Sequence, residues 1–267
     1  MAEIKLRVVE DYSAIANFAE LQGSAKQRET ICKAIYSPIS NLYTAIPGYL
    51  HEADLGLGCG FPFNFIPISK GMIGADLGCA SGIDSFILSE LVGKTGNVFG
   101  FDITPKLIER AQSIAAANGI DNIDFICADI EKLPLEDNVV DFITSNGVFS
   151  LLPDKLKVIT EMFRVLKTGG NFAIADIVQQ GPFSKKLQDA LYQFTGCLNG
   201  ISDEQMYVDT FKAVGFSDVK ISSKRNILIP DEIVAGQAQN DELNSLKAGD
   251  KGLFIITITG NKSVESV

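Results

Sequence analysis

The stretch from Met72 to Asp102, MIGADLGCASGIDSFILSELVGKTGNVFGFD, constrains the fold of this chain more than any other. A short apolar run ends in Asp76 and passes into a glycine-containing turn, Gly78 to Gly82. Phe86, Ile87, Leu88, Leu91 and Val92 then recur at helical spacing. A second apolar run starts at Asn97 and ends in Asp102, 20 residues after Gly82. Strand, tight loop, helix and strand in that order predict a nucleotide-binding βαβ unit. In such a unit small residues admit the ligand to the backbone, and the acidic residue closing the second strand accepts hydrogen bonds from ribose hydroxyls.

The turn also narrows the choice of ligand. A dinucleotide site wants three glycines so that pyrophosphate can sit on a helix N-terminus, but the middle position here is Ala80 and Asp76 stands just before the turn. A carboxylate there repels an anion. It suits S-adenosylmethionine, which carries a sulfonium and an ammonium and no phosphate, and which leaves as S-adenosylhomocysteine after giving up its methyl group. The residues expected to contact this cofactor are Asp76, Gly78, Gly82, Asp102 and Ile103, then Asp129 and Ile130 after the third strand, and the backbone near Asn146. Asp129 would accept from the adenine amine while Ile103 and Ile130 wall the ring. An upstream cluster, Asp54 to Gly60 (DLGLGCG), fits the bare glycine pattern better. It is followed by FPFNFIP, whose Pro62 and Pro67 deny it a helix, so a shaped loop is expected.

A chain of 267 residues, 46% hydrophobic, can bury a full core as one domain with appendages. Residues 1–50 read as an amphipathic helical extension, packed on the sheet or serving as a lid, and residues 51–267 as the nucleotide-binding domain with helices inserted over its mouth at about 181–214. The net charge of −10 argues against a nucleic-acid partner. No apolar run approaches a membrane span, the N-terminus lacks the apolar centre of a signal peptide, and a cytoplasmic enzyme acting on a small molecule is expected. Five cysteines, at 32, 59, 79, 127 and 197, show no C-x-x-C spacing, so no metal site is expected. A single histidine, His51, leaves little room for histidine-based catalysis.

Further along, Thr104 and Pro105 predict a helix start and Gly119 its stop. Strands are predicted over Asn122–Cys127, Val139–Thr144, Asn171–Val178, Gly215–Ser222 and Leu253–Asn261. A helix capped by Asp154 should end at the double glycine 169–170, and Asp176 should close the fifth strand at the same mouth as Asp102. The sum is an α/β fold, a Rossmann-like seven-stranded mostly parallel sheet with one antiparallel strand and helices on both faces.

From about Val8 to Ile221 the chain resembles the arsenite methyltransferase family of class I S-adenosylmethionine-dependent methyltransferases. The strings that carry the resemblance are RVVEDYSAIA, LGLGCGFP, ADLGCASGIDSFILSELVG, DNIDFICADIEKLPLEDNVVDFITSNGV, LPDK, FRVLKTGGNFAIADIV and GCLNGI. The resemblance implies that Cys59 and Cys197 are thiolates that hold trivalent arsenic, soft ligands for a soft acceptor whose own lone pair needs no general base. Two positions depart from the family. Gly147 stands where the pattern has a cysteine and Phe61 where it has an asparagine, which leaves two thiolates, with Cys32 the nearby replacement for a third. The alternative reading of Cys59 and Cys197 is buried, inert thiols. The acceptor would then be organic, quinone-like or a natural product, with His51, Asp176 or Tyr192 as base; a cofactor-binding protein without turnover is the other rival.

Overall fold

The computed structural model describes residues 2–16, 38–195, 201–227, 229, 234 and 240–263. After α1 (Ala2–Ala16) come β1 (Ile73–Leu77), α2 (Ile83–Val92), β2 (Asn97–Asp102), α3 (Pro105–Asn118), β3 (Ile123–Cys127) and β4 (Val140–Asn146). The second half runs α4 (Lys155–Val165), β5 (Leu166–Gln180), α5 (Lys185–Thr195), α6 (Glu204–Val214), β6 (Ser217–Asn226), α7 (Asn240–Ala248) and β7 (Gly252–Asn261). The strands form one seven-stranded sheet in the order β3-β2-β1-β4-β5-β7-β6. β1 to β5 pair in parallel, and β7 runs antiparallel to both neighbours. This is the architecture predicted from the sequence.

Helices on both faces bury the central strands on both sides, which is why burial along β1 and β4 is nearly continuous rather than alternating. Gly74 shows how closely the layers fit: a Cβ there would lie 2.2 Å from the ring of Phe142 on the adjacent strand. The largest apolar cluster lies on the side of α4 and α6, where Phe172 and Phe211 stack at 4.4 Å between ring centroids.

Three local expectations are corrected. The double glycine does not stop α4. The chain passes from Val165 directly into β5, which pairs Leu166 with Val140 and holds both glycines within the strand. The helix end needs no glycine turn because its carbonyls are met from outside: Lys262 Nζ donates to the carbonyls of Phe163 and Leu166, and Val139 N–H to that of Val165. α3 starts at Pro105 and stops at Gly119 as predicted, but Thr104 at its N-cap makes no side-chain cap bond, whereas Asp154 does cap α4 by accepting from Lys157 N–H. Finally, only part of 181–214 can stand over the mouth. α6 buries Tyr207, Val208 and Phe211 in the main core and so belongs to the layer covering the sheet.

At the N-terminal end, Ile15 and Ala16 of α1 pack with Leu55 and with Leu107 of α3. Cys32 and Cys197 lie outside the described residues. Among the described residues no helix is long and apolar enough to cross a membrane.

Candidate functional site

The sheet order reverses between β1 and β4, so the loops leaving their carboxyl ends diverge and open a crevice. A cleft of about 990 Å³, its open mouth included, occupies that position. The βα turn after β1 forms its floor. Gly78, Ala80 and Gly82 all have positive φ, at 76°, 49° and 94°. Gly78 and Cys79 donate their N–H groups to the carbonyl of Phe101 at 2.7 and 2.9 Å, locking the turn to β2. A Cβ at Gly78 would lie 2.3 Å from Val148. Ala80 tolerates the left-handed region because its N–H is held by Asp102 Oδ2 at 3.0 Å.

The predicted residues sort clearly. Asp76, Gly78, Asp102, Ile103, Asp129, Ile130 and Asn146 line the cleft. Gly82 does not. A Cβ there would meet the ring of Phe125 at 2.7 Å, so this glycine lets α2 pack on β3.

Three buried carboxylates face the cavity: Asp76, Asp84 and Asp102. Asp76 accepts from Ser85 Oγ at 2.7 Å and from Thr144 Oγ1 at 3.4 Å. Burial, reinforced by the neighbouring Asp84 charge, pushes its pKa up to about 7 against those two hydrogen bonds. Burial likewise lifts Asp84 to about 6, opposed by donors from Asn146 and Tyr43. Asp102 is raised by burial too, although the N–H groups of Thr104 and Ala80 stabilise its charge. With three such groups in one cavity, and with Lys5 of its described lining already paired to Asp129 and Glu131, the cleft is acidic and disfavours an anion.

The walls come from distant parts of the chain. Lys5, Val8 and Tyr12 of α1 face the cleft. Lys5 Nζ binds Asp129 Oδ2 at 2.6 Å and Glu131 Oε2 at 2.8 Å, so α1 is tied across the opening. On the opposite rim Leu57 and Gly58 belong to the Asp54–Gly60 segment, which is a loop followed by a single short 3-10 turn, Pro62–Phe65, and by no α-helix before β1. That loop is fastened by the side chain of Asn146, whose Oδ1 accepts from the N–H groups of Cys59 and Gly60 at 2.8 and 3.2 Å and from Cys59 Sγ at 3.4 Å. Asn146 Nδ2 reaches Asp84 Oδ2, the Gly60 carbonyl and the Tyr43 hydroxyl, each at 2.9 Å. Cys59 is buried, with Arg225 of β6 donating to its carbonyl at 3.3 Å. A Cβ at Gly147 would lie 3.9 Å from Cys59 Sγ.

The candidate bases fare differently. Asp176 is fully buried and spends its carboxylate on Ser150 N–H, Ile177 N–H and the Tyr207 hydroxyl, anchoring a turn and α6 instead of facing the cleft. His51 is exposed, beside Tyr49, and lines no part of the cavity. The side chain of Tyr192 lies outside the described residues. Sequence reasoning missed Asp84, Lys5 and Tyr43. An aspartate in the first turn of a helix reads as a dipole partner, and nothing in the sequence ties Lys5 to a carboxylate 124 positions away.

Sheet order, turn geometry and an acidic cleft at the switch point are those of the Rossmann-like class I methyltransferase fold. The chain belongs to the methyltransferase domain family, whose model matches residues 68–226. It is 40% identical over 176 residues to an arsenite methyltransferase of Halobacterium salinarum, an alignment covering 64% of this chain and 44% of that protein. A demethylmenaquinone methyltransferase of Staphylococcus aureus is 32% identical over 128 residues, 48% of this chain and 52% of the relative. Among solved structures, an arsenic(III) S-adenosylmethionine methyltransferase from Chlamydomonas reinhardtii matches with a TM-score of 0.67 and 28% identity, covering 88% of this chain and 75% of that one. The chain thus spans about half the length, or less, of these two curated relatives.

Proposed function

We propose that the chain methylates trivalent arsenite, with S-adenosylmethionine as donor and Cys59 as a thiolate that holds the acceptor. The observation that carries this reading is the placement of Cys59: its loop forms the rim of the acidic cleft, and its side chain shares the Asn146 amide with Asp84 of the cavity wall. S-adenosylmethionine supplies a methyl group on a cationic sulfur. Three buried carboxylates suit that charge and the ammonium of the same molecule. Asp76 and Asp84 attract the cationic end, Asp102 takes the ribose, and Asp129 with Ile103 and Ile130 takes the adenine. Gly78 lets the backbone approach. α1 closes the cleft as a lid and excludes water. Cys197 supplies the second thiolate. Methyl transfer then depends mainly on orientation, an effect that reaches roughly 7 to 11 kcal/mol in favourable cases. The acidic chain works in the cytoplasm on this small molecule.

A second reading, an organic quinone-like acceptor, is favoured by the demethylmenaquinone methyltransferase similarity and by Gly147 in place of a third thiol. The positions of Asp176 and His51, away from the cleft, weigh against a proton-abstracting mechanism.

Incubation with methyl-labelled cofactor and a panel of arsenite, selenite, thiols and quinones separates the two. Label in an arsenic product, lost in Cys59→Ser and in Cys197→Ser with S-adenosylhomocysteine binding retained, is the expected outcome. Label only in a quinone overturns it.

A further inference from the structure

The glycines of the Asp54–Gly60 loop have a use that the cofactor turn does not explain. A Cβ at Gly58 would lie 3.1 Å from both Asn146 Nδ2 and the Tyr43 hydroxyl, and one at Gly60 would lie 3.0 Å from the Cβ of Ala175. The two glycines therefore let the loop lie close on Asn146 and β5, where a side chain at either position would have to push its neighbours aside by a few tenths of an ångström. Seated there, residues 59 and 60 pair with the amide as they would with a neighbouring strand: two N–H groups go to Oδ1 and one carbonyl receives from Nδ2. The S–H of Cys59 adds a bond to the same oxygen.

The other end of the amide meets Asp84 on the wall of the cleft. Nδ2 has two hydrogens and three acceptors within 2.9 Å, so the Asp84 carboxylate, the Gly60 carbonyl and the Tyr43 oxygen compete for them. Tyr43 in turn donates either to the Gly60 carbonyl at 2.7 Å or to Asp84 Oδ1 at 3.0 Å. All of this is buried or partly buried, where the cost of an unmet donor is largest. A ligand that draws on the Asp84 carboxylate from the cavity side changes how much of it remains for Asn146 and Tyr43. The freed hydrogens then pass to the Gly60 carbonyl and tighten the loop.

We propose that Asn146 is a positioning residue that links the two halves of the site: its amide fixes Cys59 and, through Asp84, makes the hold on that thiol depend on whether the cofactor pocket is filled. This rests on the methyltransferase reading, and it adds an order to it. Donor binding presets the acceptor loop, so the acceptor meets an ordered thiol only in the loaded enzyme.

The test is the rate at which iodoacetamide alkylates Cys59, resolved from the other cysteines by mass spectrometry, with and without saturating S-adenosylhomocysteine in the full chain. In the wild type the ligand slows alkylation by about fivefold or more, the lower end of common couplings between sites. In Asn146→Ala, Cys59 reacts faster and the ligand no longer changes its rate. Asp84→Ala breaks the link at its other end and abolishes the ligand effect while Asn146 still holds the loop. It serves as the deciding variant where Asn146→Ala does not fold. Calorimetry on the same samples separates two failures. S-adenosylhomocysteine that does not bind the wild type sinks the methyltransferase reading. Ligand that binds but leaves the Cys59 rate unchanged, or that still changes it in either variant, overturns the role given to Asn146 alone.

Discussion

Gly147 stands where the resemblance to the arsenite methyltransferase family implies a cysteine, and its surroundings show what a side chain there would meet. Its φ is +75°, a region that disfavours any side chain, yet a Cβ there would meet only the Leu57 carbonyl at 3.4 Å and the Cys59 thiol at 3.9 Å. Gly147→Cys therefore fits the space but not the backbone. The strain of about 1–2 kcal/mol should lower the melting temperature by roughly 2–8 °C. In return it sets a third thiol beside the proposed Cys59 and Cys197 pair, and arsenite affinity, read by titration of the cofactor-loaded enzyme, should rise by about an order of magnitude. An unchanged affinity would place the acceptor elsewhere. At this scale the sequence was legible where chemistry is local. Asp76 and Asp102 declare themselves by standing at or next to the ends of strands, whereas Asp84 looks like an ordinary first-turn acid until the fold turns it toward Asn146.

At the level of elements, periodicity exposed every strand of the sheet, and the misreadings have one cause. The end of α4 and the role of α6 are decided by partners far along the chain, Lys262 for the first and the Phe172 face of β5 for the second. α1 is another such case. Its amphipathic pattern predicts packing without saying on what, and the structure sets it across the cleft through Lys5, Asp129 and Glu131. These groups are partly exposed, so the tie is worth no more than about 0.2–1 kcal/mol. Lys5→Ala should speed release of S-adenosylhomocysteine by about 1.4- to 5-fold in stopped-flow measurements. The difference between variant and wild type should shrink as salt is added. Slower release would mean that Lys5 competes with the ligand for Asp129 instead of holding the lid.

For the whole molecule, the three carboxylates make stability depend on pH and on ligand together. The folded pKa values of Asp76 and Asp84, about 7 and about 6, lie above the ordinary carboxylate range, so the native chain binds more protons there than the unfolded one. The stability these two groups contribute is fully present below the unfolded range near pH 4 and is lost as pH rises through about 6 and 7. Cationic donor reverses the balance, because it favours the charged forms. Thermal shifts produced by S-adenosylmethionine should therefore exceed those of the uncharged-sulfur product S-adenosylhomocysteine by a margin that widens between pH 5.5 and 8, on the order of 1 kcal/mol for each unit of pKa displaced. A margin that narrows would mean the sulfonium is not near this pair.

The cleft's described lining ends at Pro153, whereas the residues gathered around Cys59, from Ala175 to Arg225 and Ile255, belong to the latter part of the chain. Part of the surroundings of the proposed acceptor thiol is thus supplied from downstream of every described residue that lines the cleft, although Cys59 and the Asn146 that holds it lie upstream. Exchange of the downstream portion between relatives could redirect what is methylated while leaving the source of the methyl group untouched.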